Sequence, residues 1–149
     1  MKKIVLVSIY VLYVLSSLGQ EYTRKDSLRG TLTSIRTCYD VTFYDLNVVV
    51  DEKEKSIKHS DNTIYFTALS DFDLFQIDLA SNMEILRVEF EGRALDFNRE
   101  FDAVYIYFNR EIRRGEANNI RVFYEGTPRE AVNPPWDGGF SWKIDKNNK

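Results

Sequence analysis

The apolar residues between positions 44 and 124 fall into short runs with a period of two, and no stretch sustains the 3.6-residue period of an amphipathic helix. Tyr44, Leu46, Val48 and Val50 alternate with Asp45, Asn47 and Val49, and Asp51 to Lys55 follows as a charged turn. A second run lies within Ser56 to Leu69, with Ile64 and Phe66 on one face and Tyr65 and Thr67 on the other. Phe75, Ile77 and Leu79 form a third. In the fourth, Glu84 to Phe90, the residues Leu86, Val88 and Phe90 alternate with Arg87 and Glu89. Glu91-Gly92-Arg93 signals a turn into a short strand around Leu95 and Phe97, and Asp102 to Phe108 and Ile120 to Tyr124 complete the set. Ile112 to Asn118 is too short and too broken by glycine for a stable helix. This pattern predicts an all-β chain, an antiparallel β-sandwich of seven to eight strands rather than parallel βαβ units.

Both ends carry their own signals. Lys2 and Lys3 precede an apolar stretch from Ile4 to Leu15, and Ser17-Leu18-Gly19 places small residues where a signal peptidase requires them. Residues 1–19 therefore read as an export signal cleaved between Gly19 and Gln20, with a periplasmic or extracellular destination. A stable membrane anchor is disfavoured, because the run falls short of the ~20 apolar residues that span a bilayer. No Cys adjoins the cleavage position, which argues against lipid attachment there. Gln20 to Thr37 is polar and reads as an exposed lead-in that becomes ordered near Arg36, ahead of a sandwich domain over residues 38–149. At the other end, Phe140, Trp142 and Ile144 alternate with Ser141, Lys143 and Asp145 as a strand, and Asp145 to Asn148 supplies turn chemistry. No returning strand follows, so the terminal hairpin reads as incomplete and the chain as the front part of something longer.

Removing the signal leaves 130 of 149 residues, enough for one core, and takes the net charge from −3 to −5 because the signal carries two cations and no acid. Such a chain has no general attraction for nucleic acid or anionic lipid. Cys38 is the single cysteine and cannot form an internal disulfide. Its position at the start of a strand favours a buried, inert thiol over a reactive one.

In Val104-Tyr105-Ile106-Tyr107-Phe108 both faces are bulky, whereas a strand with one face in water ordinarily alternates apolar with charged residues. Tyr65 and Phe123 also occupy the less aliphatic faces of their runs. One reading is strand preference for aromatics. The sharper reading places Tyr65, Tyr105, Tyr107 and Phe123 together on one sheet as a docking or ligand face.

Catalytic chemistry is mostly absent. His59 is the only histidine, so HExxH, a multi-histidine metal site and a two-histidine relay are all excluded. It sits among Lys58, Ser60, Asp61 and Asn62 in a turn-like, exposed context, which disfavours a relay with a nucleophile. There is no phosphate-binding loop, and Gly138-Gly139 reads as a tight backbone turn beside Trp136. Asp71-Phe72-Asp73 and Glu52-Lys53-Glu54 place carboxylates in turns, away from the groove that glycoside hydrolysis needs. Asp73 is followed by neither the oxygen ligands nor the glycine of a calcium loop.

The segments Leu28-Arg29-Gly30-Thr31-Leu32-Thr33, Arg36-Thr37-Cys38-Tyr39-Asp40-Val41, Tyr44-Asp45-Leu46, Phe75-Gln76-Ile77-Asp78-Leu79 and Pro135-Trp136-Asp137-Gly138-Gly139-Phe140 resemble, in order and spacing, the N-terminal domain of M1 family zinc aminopeptidases. The likeness covers nearly all of the mature chain, and Trp136 to Phe140 is its strongest piece. It implies a β-rich, saddle-like domain packed against a thermolysin-like catalytic domain, and a parent activity that releases N-terminal amino acids from peptides with zinc-activated water. The family's HExxH, its later zinc-binding Glu, its GxMEN segment and its transition-state Tyr have no counterpart here. The resemblance thus transfers no catalytic or metal residue to this chain, and the cofactor, zinc, belongs to the parent enzyme.

Two functional classes follow. In the first, the chain is the non-catalytic N-terminal domain, or a truncated product, of an exported aminopeptidase, whose partner is the catalytic domain and whose peptide substrate binds only the complete enzyme. The aromatic face and the segment Trp136, Asp137, Gly138, Gly139 and Phe140 then serve as interdomain contacts. In the second, a free-standing secreted sandwich binds a glycan or protein through that same face. Fold alone does not separate them.

Overall fold

The computed structural model describes residues 22–146. Two short helices, α1 (Arg24–Gly30) and α2 (Ser34–Thr37), precede eight strands: β1 (Tyr39–Asn47), β2 (Val50–Asp51), β3 (Ser56–Ala68), β4 (Phe72–Asp78), β5 (Met83–Phe90), β6 (Arg93–Glu100), β7 (Ala103–Ile112) and β8 (Ala117–Gly126). The export signal expected over residues 1–19 lies outside the described residues. Among the described residues no helix is long and apolar enough to cross a membrane.

The strands form one curled antiparallel path in the order β1-β3-β8-β5-β6-β7-β4, with β2 also paired to β3. The path folds back on itself along β6, whose Arg93 to Leu95 pair with β5 while Asp96 to Glu100 pair with β7. Two layers result, β1-β3-β8-β5 and β6-β7-β4, as the alternation predicted. Ile64, Phe66, Val88, Ile120 and Val122 from the first layer meet Phe75, Val104, Ile106 and Phe108 from the second. Phe66, Phe72, Phe75 and Phe108 form an aromatic centre with ring centroids 5.0 to 6.2 Å apart. Each such buried ring contributes about 1.5–3 kcal/mol relative to exposure, as do the buried aliphatic residues around it, and together they close the layers.

Three expectations change. The lead-in is structured from Thr23, not from near Arg36, because Thr23 and Asp26 exchange hydrogen bonds in a capping box at the start of α1 and Leu28 is buried beneath it. In β5 a register shift between Ile85 and Arg87 turns Leu86 outward, and Ile85 takes the core place expected of it. The strand expected over Phe140, Trp142 and Ile144 is absent: Phe140 alone makes a bridge, parallel, to Glu130, and residues 141–144 belong to no strand. Its ladder bonds are taken by the loop instead, since Phe140 donates to the Arg129 carbonyl at 2.9 Å and Ala131 donates to the Phe140 carbonyl at 2.9 Å.

Candidate functional site

Neighbouring residues on a strand point to opposite faces, so Tyr65, between core residues Ile64 and Phe66, and Phe123, between Val122 and Tyr124, face outward from the first layer. Tyr105 and Tyr107, flanked by Val104, Ile106 and Phe108, face outward from the second. The four aromatics therefore lie on the two opposite outer surfaces of the sandwich, not on one face. Period-two reasoning gives the parity of a residue on its strand but not the layer to which that strand belongs.

Each of the four has a partner within the chain, although Tyr65 and Tyr107 remain exposed at 37% and 41%. Phe123 lies under the guanidinium of Arg87, 3.8 Å from the ring centroid, and beside that of Arg121 at 4.8 Å. Tyr65 packs against Phe43, with centroids 5.8 Å apart. Tyr105 lies beneath the α1 end of the molecule, where Arg24 makes a two-point ion pair with Glu100 at 2.9 and 3.0 Å. Burial, and then the charge of Glu100, raise its hydroxyl pKa. Tyr107 accepts a 3.3 Å hydrogen bond from Asn98.

The Trp136 to Phe140 segment forms part of a closed loop. The Asp137 carboxylate accepts from the main-chain N–H groups of Val132 at 2.6 Å and Asn133 at 2.8 Å. Burial pushes this carboxyl up, yet those two N–H groups, together with the Asp137 N–H and the charge of Arg129, hold the group below its ordinary value. Gly139 has φ of 139°, and a Cβ there would lie 2.8 Å from the Arg129 carbonyl oxygen and 2.9 Å from the Ala131 nitrogen. Gly138 faces the Arg129 guanidinium, 3.1 Å from where a Cβ would sit. Close backbone approach thus explains Gly139, whereas Gly138 meets only the end of a flexible side chain. Trp136 projects into solvent, 90% exposed, whereas Phe140 packs on the small cluster of Ile57, Met83 and Tyr124 and stacks on Trp142 at 5.6 Å. Gly138, Gly139 and Phe140 also line a cavity of about 690 Å³, which they share with Lys25, Arg29 and Arg129 among others.

A second opening separates the two ends of the strand path. Where β1 starts, the Tyr39 hydroxyl donates to the Gln76 carbonyl of β4 at 2.6 Å. Beyond that bond lies a cleft of about 280 Å³, lined by Val41, Tyr44 and Ile64 on one side and Ile77, Asp78 and Leu79 on the other. Asn62 lies in both openings, and its buried side-chain oxygen has no hydrogen-bond partner within the chain. Arg36 at the cleft is paired with Asp78 at 2.9 Å.

Sequence reasoning missed the surface beside this cleft. It read Tyr44, Leu46, Val48 and Val50 as an apolar strand face, and in the structure all four side chains are exposed, together with Phe43 and Val49. The unbroken Val48-Val49-Val50 was the available signal, since a strand with one wet face seldom carries three apolar residues in succession.

Metal-binding chemistry does not fit the donors present. Among the described residues no three His, Cys, Asp or Glu side chains gather into a group that could hold an ion. His59 sits 83% exposed on a bulge in β3 and pairs with Glu125 at 3.3 Å. Cys38 is buried with its Sγ 3.6 Å from the Ile35 carbonyl, and burial pushes its thiol up to about 11.

No family model and no curated protein matches the chain. Solved structures do. An M1 zinc metallopeptidase variant from Deinococcus radiodurans, bound to a Tyr-Ser-Ala substrate, is similar with a TM-score of 0.56 and 25% identity, over 66% of this chain and 22% of that one. A variant of a two-domain M1 zinc metallopeptidase bound to L-arginine gives a TM-score of 0.59 and 21% identity, over 72% of this chain and 26% of that one. Yeast LTA4 hydrolase gives a TM-score of 0.50 and 19% identity, over 60% of this chain and 15% of that one. The fold is that of a β-domain found within M1 zinc metallopeptidases. The chain spans about a quarter or less of the length of these structures.

Proposed function

We propose that this chain is the non-catalytic N-terminal domain of an exported M1-type zinc metallo-aminopeptidase and packs against a catalytic domain. The observation that carries the reading is the fold likeness, in which a domain of this shape makes up 22% to 26% of a larger M1 zinc metallopeptidase. The segments from Leu28 to Phe140 that resemble this family support it from the sequence itself. In this reading the catalytic domain would hold the zinc and supply the hydrolytic chemistry, and this chain would pack beside that domain. Export follows from residues 1–19.

The test has two arms. Purified residues 20–149 are expected to bind no stoichiometric zinc and to hydrolyse no aminoacyl reporter. One tightly held zinc per chain, or chelator-sensitive turnover, would overturn the reading. The source messenger RNA, read past the Lys149 codon, is expected to encode GxMEN and then HExxH in frame. A frame lacking both would remove the catalytic partner.

A further inference from the structure

The two ends of the strand path are protected unequally. At β4 the Gln76 carbonyl is already occupied by Tyr39, and α2 lies alongside with Arg36 bonded to Asp78. At β1 the ladder to β3 uses one side only, and among the described residues no strand pairs with the other side. A free edge is a template for another chain, and proteins commonly guard it with lysine, proline or a bulge. Here the register shift between Val41 and Phe43 guards only the start of β1. From Phe43 to Asn47 the strand runs regularly, with Phe43 61% and Leu46 60% exposed, and the exposed Val48 to Val50 prolong the strip.

Charge selects among possible occupants. From Thr37 to Glu52 the chain carries Asp40, Asp45, Asp51 and Glu52 and no Lys or Arg. A second copy of this edge would bring acid to acid, whereas a strand bearing cations would be attracted.

We propose that the β1 edge from Phe43 to Asn47 is a strand-addition site for an extended segment of another polypeptide, apolar at alternate positions and basic at the positions between or flanking them. The added strand continues the first layer into the opening between β1 and β4. Main-chain bonds to β1 give affinity, the apolar strip receives alternate side chains, and the acids select Lys or Arg. The site rests on the two-domain reading in one respect, that the catalytic domain packs elsewhere and leaves the β1 edge uncovered.

The test uses mature protein and the fluorescein-labelled peptide Arg-Val-Thr-Ile-Lys-Val-Thr-Arg, followed by anisotropy, with amide exchange read on β1. Binding is expected to weaken with salt, to slow exchange at Phe43 to Asn47, and to fall by about tenfold or more in Leu46→Lys and in Val48→Lys. Both positions are exposed, so unchanged thermal midpoints would verify folding, and Tyr107→Lys on the opposite layer should leave binding unaltered. Equal binding of a peptide with Glu at every cationic position, or indifference to both lysine variants, would overturn the proposal. So would a homodimer of the unliganded protein that Leu46→Lys dissociates, because the occupant would then be a second copy. No result of this assay bears on zinc or on the downstream reading frame, so it can fail while the M1 reading stands.

Discussion

Tyr39 at the start of β1 and Gln76 on β4 are joined by a 2.6 Å hydrogen bond from the tyrosine hydroxyl to the main-chain carbonyl, and this bond ties together the two outermost strands of the curled sheet. The Tyr39 ring also meets Phe75 edge-on at 4.5 Å. Burial raises the hydroxyl pKa, so the group stays a donor across the ordinary pH range. Tyr39→Phe keeps the ring contact and deletes only the bond, leaving a carbonyl of the buried Gln76 unsatisfied. The expected loss is about 1–3 kcal/mol. Urea unfolding should show a lower midpoint with an unchanged slope; an unaltered midpoint would mean that the strand ends are held by packing alone.

Asp61 is buried on β3 and accepts two bonds from Arg121, at 2.9 and 3.0 Å, and one from the Asn47 amide at 3.1 Å. The Arg121 bonds, reinforced by Asn47, hold its carboxyl below the ordinary value against the opposing effect of burial. A depressed folded-state pKa gives stability that is complete above the unfolded value of about 4 and disappears as pH falls through the folded value. Wild-type protein should therefore lose stability on acidification below about pH 4. Asp61→Asn should be less stable at pH 7 and lose less over that acid range. Denaturant midpoints at stepped pH measure both, and parallel curves for the two proteins would exclude Asp61 as a source of acid sensitivity.

How far the sequence could be read depended on what each pattern encodes. Turns were legible because their chemistry is local: Glu91 and Gly92 adopt φ of 50° and 75° between β5 and β6, where the sequence placed a turn. Strand faces were legible until a bulge intervened, since one inserted residue exchanges Leu86 for Ile85 in the core. The relation of Tyr65 and Phe123 to Tyr105 and Tyr107 was not legible, because it depends on β6 passing from one layer to the other midway along its length. Nor could alternation reveal that the apolar strip from Phe43 to Val50 lies uncovered. Burial is a property of what stands opposite a residue, and the strands opposite are remote in sequence.

The proposed export signal makes a separate prediction. Ser17 and Gly19 are small, and the apolar stretch from Ile4 to Leu15 is short for an anchor, so cleavage is expected between Gly19 and Gln20. Intact-mass analysis of exported protein should find Gln20 as the first residue. A species that retains Met1 and is extracted only with detergent would establish an anchor instead.

Gly139 fixes the return of the loop of residues 131–139. Its φ of 139° is one that side-chain-bearing residues rarely adopt, and an added Cβ would meet main-chain atoms of Arg129 and Ala131 within 2.9 Å. Because the obstacle is backbone, Gly139→Ala cannot be relieved by a rotamer change. The substitution should break the bonds that join Phe140 to Arg129 and Ala131. Phe140 would then withdraw from Ile57, Met83 and Tyr124, and its stack on Trp142 would open. The main sandwich core is a separate cluster and should survive, so the expected cost of about 1–3 kcal/mol falls on the loop alone. Amide exchange at Ala131 and Phe140 should accelerate while β7, paired on both sides, keeps its protection. Near-ultraviolet dichroism should lose the Trp142 contribution at the same time. Equal acceleration along β7 would show that the loop and the sandwich unfold as one unit, and unchanged exchange at Phe140 would show that Gly139 carries no structural requirement.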